Sequence, residues 1–288
     1  MAEYYIAPKS SFDATADAIR EKTGNQATIE WTENGFADAV SDIPSGYSMD
    51  DISTGQFLSN VVITSNTIRR YCFYGVNSLV SVTADNVTSL GGGNAVSMFE
   101  NCKNLETLHM ESLTSVGNSQ GFCRGCSKLT TIYVPLLSDL GDASFNNCTS
   151  LVVVVLPSAT ASYRSFAGCT SLQKIDYGAK SGSKVSFENN NFQNCRSLSE
   201  IILRNESRVT PLANTNVFTN STFASSGTGG TIYIPKVLYD HLGDGSSLDY
   251  KAATNWSTID GYGTITWAQI EGSQYENYYA DGTSIMTA

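Results

Sequence analysis

Cysteine and histidine side chains are the residues of this sequence best suited to nucleophilic, redox or metal chemistry. The chain has seven cysteines but only two histidines, His109 and His241. Cys123 and Cys126 form a C-x-x-C motif, the spacing found in zinc sites and in thiol–disulfide exchange. A single C-x-x-C motif is a weak signal, and the sequence indicates no cysteine or carboxylate partner for either histidine. The positions of the other cysteines decide between this chemistry and a structural role.

The sequence contains none of the short motifs that mark common catalytic sites. It has no G-x-S-x-G nucleophile motif, no H-E-x-x-H zinc motif and no phosphate-binding loop. The glycine run at 91–93, followed by Asn94, is interpreted as a turn. We therefore predict no catalytic residue, no metal and no cofactor.

Five cysteines recur at nearly even steps of 24, 22, 21 and 26 residues. Even steps are typical of a structural repeat, whereas a disulfide framework does not require them. Alignment on these cysteines gives the shared pattern F-x-x-C-x-x-L-x-x-I-x-V, in which Val76 replaces the first cysteine and Cys123 replaces one phenylalanine. Six copies occupy residues 73–84, 99–110, 123–134, 145–156, 166–177 and 192–203, and two weaker units lie at 57–63 and 230–235.

Each copy ends in an alternation of apolar and polar residues, the pattern of a strand with one buried face. In the first copy, Leu79, Val82 and Ala84 are predicted to point inward and Thr83 outward. One such segment cannot bury its apolar side alone, but stacked copies can. With strands about 4.8 Å apart, the eight units predict a parallel ladder roughly 34 Å long.

The repeat also places one cysteine at the same point of successive turns, in what we call the Cys column. Its members are Cys102, Cys126, Cys148, Cys169 and Cys195. Free cysteine behaves as a small buried hydrophobic residue, so we interpret the column as internal packing. Disulfides between turns, and a zinc or redox role for the C-x-x-C motif, are the alternatives. The repeat accounts for both cysteines of that motif, because Cys126 takes the cysteine position and Cys123 the phenylalanine position.

This repeat resembles the BspA-type leucine-rich repeat. The sequences TSVG at Thr114–Gly117 and SDLG at Ser138–Gly141 add to the resemblance, which covers roughly residues 57–235. The resemblance implies a repeat solenoid, mainly β, that is right-handed and has one parallel sheet. It also implies surface and adhesive roles, in bacterial cell-surface proteins and in tail-associated proteins of phages and prophages. Longer polar insertions at 178–191 and 204–228 predict that the stack is disturbed there.

The two ends of the chain differ from the repeat. Residues 1–46 predict a small α-helical cap or attachment module, with helices at about 11–24 and 34–43 and a short strand at 27–31. Within this module, the combination ADAIREKTG … GFADAVSDI, about 35 residues, resembles a short module at the head of many phage and prophage tail proteins. This resemblance implies contact with other virion proteins; capping of the first turn is the alternative. Residues 47–235 predict the solenoid, and residues 236–288 a C-terminal cap and tail that closes its open edge.

Outward positions of successive strands predict a row of side chains suited to binding, here called the outward row. It consists of Thr83, His109, Tyr133, Val155, Asp176, Ile202 and Tyr233. Aromatic and polar groups mixed on a rigid face suit recognition of a protein or a sugar; an ordinary solvated sheet face is the alternative. The apolar residues Val152, Val153 and Val155 predict contact with another chain or with a covering segment.

Charge and hydropathy limit the classes of function. The formal net charge of −10 and the pI near 4.6 argue against nucleic acid as a partner. No stretch approaches the roughly 20 apolar residues of a membrane span, so we predict no membrane insertion.

From these observations and the resemblance, we expect a non-enzymatic phage or prophage virion protein, tail-associated, whose rigid surface attaches to a bacterial surface glycan or protein. A bacterial cell-surface adhesin with leucine-rich repeats is the alternative, although the start MAEYYIAPKSS lacks the pattern of a secretory signal. A carbohydrate-active enzyme is a third hypothesis, which needs an acidic pair that the outward row lacks. A homo-oligomer such as a trimer is also compatible with the sequence.

Overall fold

The computed structural model describes residues 29–31, 59–63, 66–69, 73–91, 97–117, 120–159, 161–178 and 186–271. The predicted helices at 11–24 and 34–43, Cys72 and the tail at 272–288 lie outside the described residues. The division into three units therefore stays a prediction.

Parallel strands along one side of the repeat form the main sheet face. Eight of them come from the eight predicted units, and one more lies at each end. They are β1 (Ile29–Trp31), β2 (Asn60–Ile63), β4 (Ser81–Thr83), β6 (Thr107–His109), β7 (Thr131–Tyr133), β9 (Val153–Leu156), β11 (Lys174–Tyr177), β13 (Glu200–Leu203), β14 (Gly230–Ile234) and β15 (Ile265–Gln269). Two five-stranded parallel sheets result, in the orders β1-β2-β4-β6-β7 and β9-β11-β13-β14-β15, and β7 contacts β9 between them.

A second, narrower parallel ladder runs along the opposite side, in addition to the sheet that the sequence predicted. Its strands are β3 (Thr67–Arg69), β5 (Ser89–Gly91), β8 (Asp139–Asp142), β10 (Ala161–Tyr163) and β12 (Ser186–Phe187). Strand β3 pairs with β5, and β10 pairs with both β8 and β12. Ser115 bridges Ser89 and Asp139, so the turn between β5 and β8 continues the ladder. The ladder forms where an apolar anchor such as Leu90 or Leu140 packs against the core between polar neighbours.

The predicted alternation holds within the first copy and its neighbours. Leu79, Val82 and Ala84 are buried while Thr83 is half-buried, and the corresponding residues of β6 and β7 alternate in the same way. Between the two ladders lies one continuous hydrophobic core. Burial of the apolar side of each strand by its neighbours is the source of the solenoid's stability.

A column of phenylalanine rings runs through this core. Centroids of successive rings lie 5.4–6.1 Å apart. The column consists of Phe73, Phe99, Phe122, Phe145, Phe166, Phe192 and Phe218. Cys123 occupies the phenylalanine position of its turn, but the ring in the column comes from the preceding residue, Phe122. Phe192 and Phe218 remain 5.6 Å apart, so the phenylalanine column continues into the insertion at 204–228.

The turn before each cysteine position requires a left-handed backbone. The residue there is always glycine or asparagine, with φ between 55° and 78°. In chain order these residues are Gly75, Asn101, Gly125, Asn147, Gly168, Asn194 and Asn220. Glycine and asparagine adopt this conformation at lower cost than other residues, which explains why these two residue types alone occupy the position.

The described part of the C-terminal segment adds two short helices and β15 to the array. Helix α1 spans Lys236–Tyr239 and helix α2 spans Trp256–Asp260, while a 3-10 helix at Thr215–Phe218 belongs to the last repeat. The buried indole of Trp256 donates a hydrogen bond to the carbonyl oxygen of Thr210 (2.6 Å). Strand β15 pairs in parallel with β14, so the main sheet face extends one strand beyond residue 235. Within the described residues, no helix combines the length and the apolar character needed to cross a bilayer.

Candidate functional site

Strand register brings the outward row together as two aligned groups. Thr83 pairs with His109, and His109 with Tyr133, across β4, β6 and β7. In the second sheet, Asp176 pairs with Val155 on one side and with Ile202 on the other, and Ile202 pairs with Tyr233. The order of the row along the face is therefore the order that the repeat predicts.

The group on β4, β6 and β7 is open to solvent and ordered by side-chain contacts. Thr83, His109 and Tyr133 are half-buried. The rings of His109 and Tyr133 stack with centroids 4.4 Å apart and planes 14° apart. His109 Nδ1 lies 2.5 Å from Oδ1 of Asp85, which also accepts a hydrogen bond from the amide of Glu111 (3.2 Å). Because a carboxylate only accepts, Nδ1 of His109 is the donor in this pair.

The group on β9, β11 and β13 is not accessible, which corrects the predicted binding surface. Val155 is 7% exposed, and Asp176 and Ile202 are fully buried. The guanidinium of Arg204 holds the carboxylate of Asp176 through two 2.6 Å hydrogen bonds, so that this carboxylate needs no water. Removing the two apolar neighbours of Asp176 from water is favourable in itself. Val155, Asp176 and Ile202 therefore do not belong to an open binding surface, whereas Tyr233 at the far end is half-buried.

Apolar side chains border the junction between β7 and β9. Val152 is 40% exposed and Leu136 is 51% exposed, while Val153 is half-buried. The hydroxyl of Ser158 donates to the carbonyl oxygen of Pro135 (2.9 Å), which ties together the turns that follow these two strands. Exposed apolar groups on a rigid face are a feature of interaction sites.

The Cys column is a ladder of hydrogen bonds as well as internal packing. Each of its five thiols donates to the backbone carbonyl of the phenylalanine position in the preceding turn, at 2.8–3.1 Å. The acceptors are the carbonyl oxygens of Phe73, Phe99, Cys123, Phe145 and Phe166. The thiols are free and buried, so the alternative of disulfides between these turns is wrong. The sequence predicted the burial of the column but not its hydrogen bonds.

Burial makes these thiols poor nucleophiles. Removal from water raises the pKa of the Cys169 thiol to about 12 and raises the pKa values of Cys123, Cys148 and Cys195 well above their usual range. The thiolate is the reactive form of cysteine, so a raised pKa suppresses reactivity. Across the described ranges, no group of three or more His, Cys, Asp or Glu residues is arranged to hold a metal ion.

Both histidines have carboxylate partners that the sequence did not indicate. Asp85 lies two residues beyond Thr83, the register partner of His109, so the stacking of adjacent turns brings Asp85 and His109 together. His241 Nδ1 lies 2.6 Å from Oδ2 of Asp244 on the turn that follows α1. The hydrogen bond from His241 is the main cause that lowers the pKa of Asp244 to about 2. A comparison of adjacent repeats contains the signal for Asp85, because a residue lies close both to its equivalent in the next turn and to the residues beside that equivalent.

Comparisons with known proteins agree with this architecture. The family described as BspA type Leucine rich repeat region matches in six copies, over residues 54–162 and 118–239. No curated protein matches the sequence.

Solved leucine-rich repeat structures are similar at low identity. A leucine-rich repeat protein of T. pallidum is 22% identical with a TM-score of 0.43, and the match covers 54% of this chain and 73% of that one. A leucine rich cell surface protein of Faecalibacterium prausnitzii is 16% identical with a TM-score of 0.36, and the match covers 59% of each chain. Since the repeat, its register and the family match cover more than half of the residues, this chain belongs to the BspA-type leucine-rich repeat family.

Proposed function

We propose that this chain is a non-enzymatic binding protein that attaches to a bacterial surface through its rigid sheet face. The observation that carries the proposal is the open group of the outward row, where Asp85 orients His109 and His109 stacks on Tyr133. Side chains that are fixed before binding lose little conformational entropy when a partner docks. Repeated strands supply the rigid support, because each one is hydrogen-bonded to its neighbours.

Binding of the fluorescently labelled protein to a panel of intact bacterial cells tests this proposal. We expect saturable binding to at least one strain and its loss in a double variant, His109→Ala with Tyr133→Ala. Tyr262→Ala is the matched control, because Tyr262 is a 37% exposed tyrosine outside the repeat. Absence of binding to every strain, or equal loss in the control, would contradict the proposal.

Two locations of the protein are proposed, the phage virion and the bacterial cell surface, and a different observation supports each. A tail-associated virion role is supported by the resemblance of about 35 residues of the N-terminal module, ADAIREKTG … GFADAVSDI, to the head module of phage tail proteins. A cell-surface adhesin is supported by the description of the F. prausnitzii protein as a cell surface protein. Mass spectrometry distinguishes them: the virion role places the chain in purified phage particles, whereas the adhesin role places it among peptides that trypsin releases from intact cells of the encoding strain.

The carboxylates of the outward row support the non-enzymatic part of the proposal. Hydrolysis of a glycosidic bond ordinarily requires two carboxyl groups that flank it. The outward row has one carboxylate, Asp176, which is buried against Arg204. Release of reducing sugar from a bacterial polysaccharide by the purified protein would overturn this part of the proposal.

A further inference from the structure

The second ladder carries four side chains that lie outside the outward row, here called the Tyr163 cluster. It consists of Gln120, Asp142, Tyr163 and Arg164. Asp142, at the end of β8, is bridged to Gln120 of the preceding turn and pairs with Tyr163 of the following turn. These three positions therefore lie side by side on successive turns, across roughly 10 Å at the spacing of parallel strands.

Arg164 holds the aromatic ring of the cluster in place. Its guanidinium lies over the ring of Tyr163, 4.7 Å from the centroid, and its Nη2 donates to Oδ2 of Asp142 (3.1 Å). Backbone bonds tie the same turns together. The amide of Gly121 donates to the carbonyl oxygen of Asp142 (2.7 Å), and the amide of Ala143 donates to the carbonyl oxygen of Tyr163 (2.9 Å). Side chains fixed in this way lose little conformational entropy when a ligand binds.

Several polar groups of the cluster remain available to a ligand. Gln120 and Arg164 are exposed, and Tyr163 is 37% exposed. Within the described ranges, the hydroxyl of Tyr163 and the side-chain amide of Gln120 form no hydrogen bond. The pair with Asp142 uses one of the five N–H donors of the Arg164 guanidinium. Hydrogen-bonding groups thus surround a partly open aromatic ring.

The backbone of Arg164 supports a role for its side chain. Its φ of 49° lies in the left-handed region, where a residue with a Cβ is strained. The equivalent positions of adjacent turns adopt the same conformation, at Ser97, Gly121, Ala143 and Asn190. Asparagine meets this requirement at lower cost than arginine. Because strained backbone is concentrated at functional sites, the contacts of the guanidinium are a reason for arginine at this position.

The surroundings of Tyr163 fit a sugar better than a protein. Protein interfaces have an apolar centre, but Tyr163 is the only exposed large apolar side chain among the described residues of the second ladder. A pyranose ring presents an apolar face of C–H groups and a rim of hydroxyls. One aromatic ring with a few polar groups beside it matches that combination.

We propose that the Tyr163 cluster binds a neutral glycan. The exposed surface of Tyr163 packs against the C–H face of one sugar residue, while the guanidinium of Arg164 and the amide of Gln120 donate to its hydroxyls or to those of the next residue. The charges of Asp142 and Arg164 cancel within the cluster, which favours a ligand without net charge. This site is independent of the proposed function, which concerns the opposite side of the solenoid.

A microarray of neutral bacterial polysaccharides and defined oligosaccharides tests the proposed site. We expect the fluorescently labelled protein to bind at least one glycan, and Tyr163→Ala to weaken that binding at least fivefold. Tyr239→Ala is the matched control, because Tyr239 on α1 is also 37% exposed. Failure to bind any glycan, or an equal loss in the control, overturns the inference.

Arg164→Asn separates a binding role from a structural one. Asparagine tolerates the φ of 49°, and the ion pair lost with the arginine is largely exposed. The midpoint of urea unfolding should therefore stay the same or rise, whereas glycan binding should fall at least fivefold. Unchanged binding overturns the inference, whatever happens to the midpoint.

Hydroxyl-radical footprinting with mass spectrometry locates the bound glycan on the wild-type protein. An oligosaccharide identified on the microarray should lower the oxidation of Tyr163 at least twofold and leave that of Tyr239 unchanged. Protection of Tyr133 without protection of Tyr163 would place the glycan on the open group, which overturns the inference and leaves the proposed attachment function standing. Conversely, glycan binding should persist in the double variant His109→Ala with Tyr133→Ala, so the two proposals can fail separately.

Discussion

The thiol of Cys169 donates a hydrogen bond to the carbonyl oxygen of Phe145 (3.1 Å), one turn of the solenoid earlier. The amide of Cys148, in the same turn as Phe145, donates to that oxygen as well (3.1 Å). One buried carbonyl thus accepts a bond within its own turn and another from the next. The same double acceptance recurs at Phe99 and Phe166, so it links turns throughout the array. The cysteine position supplies a donor that an aliphatic residue of similar size lacks.

The described thiols should be unreactive in the folded protein. All six are buried and free, and a pKa of about 12 at Cys169 keeps that group protonated at pH 8. In a Cys72→Ser variant, we expect 5,5′-dithiobis(2-nitrobenzoic acid) to modify none of the six rapidly at pH 8. All six should react after unfolding in guanidinium chloride under non-reducing conditions. Rapid modification of the native protein, or fewer than six reactive thiols after unfolding, would contradict the Cys column.

Substitution of Gly168 should cost more than substitution of Gly75. Both glycines have positive φ, 78° and 70°, so alanine at either position incurs the roughly 1–2 kcal/mol cost of a left-handed backbone. A Cβ at Gly168 would lie 2.1 Å from Oδ1 of Asn147, whereas nothing lies within 4 Å of a Cβ at Gly75. We expect Gly168→Ala to lower the free energy of unfolding by about 1 kcal/mol more than Gly75→Ala, as measured by urea denaturation.

The double variant Gly168→Ala with Asn147→Gly checks the cause of this difference. Removal of the Asn147 side chain eliminates the clash, and glycine tolerates the positive φ of position 147. We expect the excess cost at Gly168 to disappear in this background. Persistence of the excess would show that contact with Asn147 is not its source.

Loss of Arg204 should strongly destabilise the fold. The Arg204→Met variant leaves the carboxylate of Asp176 buried without its cation, and breaking a buried pair in this way typically costs about 3–5 kcal/mol. The exposed pair of Lys236 and Asp240 provides the control, since Lys236→Met should change stability by less than about 1 kcal/mol. Chemical denaturation of both variants gives the comparison.

An apolar pair should rescue much of the stability lost in Arg204→Met. In the double variant Asp176→Val with Arg204→Met, the valine extends the row between Val155 and Ile202 and leaves no buried charge. A double variant as unstable as Arg204→Met alone would show that the arginine acts through contacts other than its ion pair.

Asp244 should titrate well below an ordinary aspartate. The hydrogen bond from His241 lowers its pKa to about 2, against about 3.9 for an unperturbed aspartate. A group with a lowered pKa contributes stability above the unfolded value, and that contribution is lost as the pH falls from about 4 to about 2. Carbon-13 NMR of the side-chain carboxyl should show a midpoint near 2 in the wild type. His241→Ala should move the midpoint up, towards 3.9; an unchanged midpoint would assign the shift to the amide and hydroxyl of Ser246 instead.

Much of the fold was predictable from the local sequence pattern, because equivalent positions of a repeat occupy equivalent places in the structure. The alternation at Leu79, Val82 and Ala84 predicted the buried face, and its recurrence predicted eight parallel strands. The second ladder was not predicted, because segments such as Ser89–Gly91 are too short for their period to be distinguished from that of a turn. The ring contributed by Phe122 was missed for a related reason: the pattern identifies the backbone position, whereas side-chain packing selects which neighbour fills the column.

The sequence predicted the order of the outward-row residues along the sheet but not their exposure to solvent. Strand register follows from the repeat, so the row from Thr83 to Tyr233 lies in the order expected. Whether a residue on that row meets water depends on partners from other turns. Arg204 removes Asp176 from solvent from a distance of 28 residues along the chain.

The amino-acid sequence by itself determined the repeat, the buried side of each strand and the Cys column, because these depend on periodicity and hydrophobicity that each turn carries locally. Only the tertiary structure decided that Asp85 orients His109, that Arg204 neutralises a buried carboxylate, and that Val152 and Leu136 remain exposed. Those features arise from contacts between turns, where side-chain length and direction determine which groups meet.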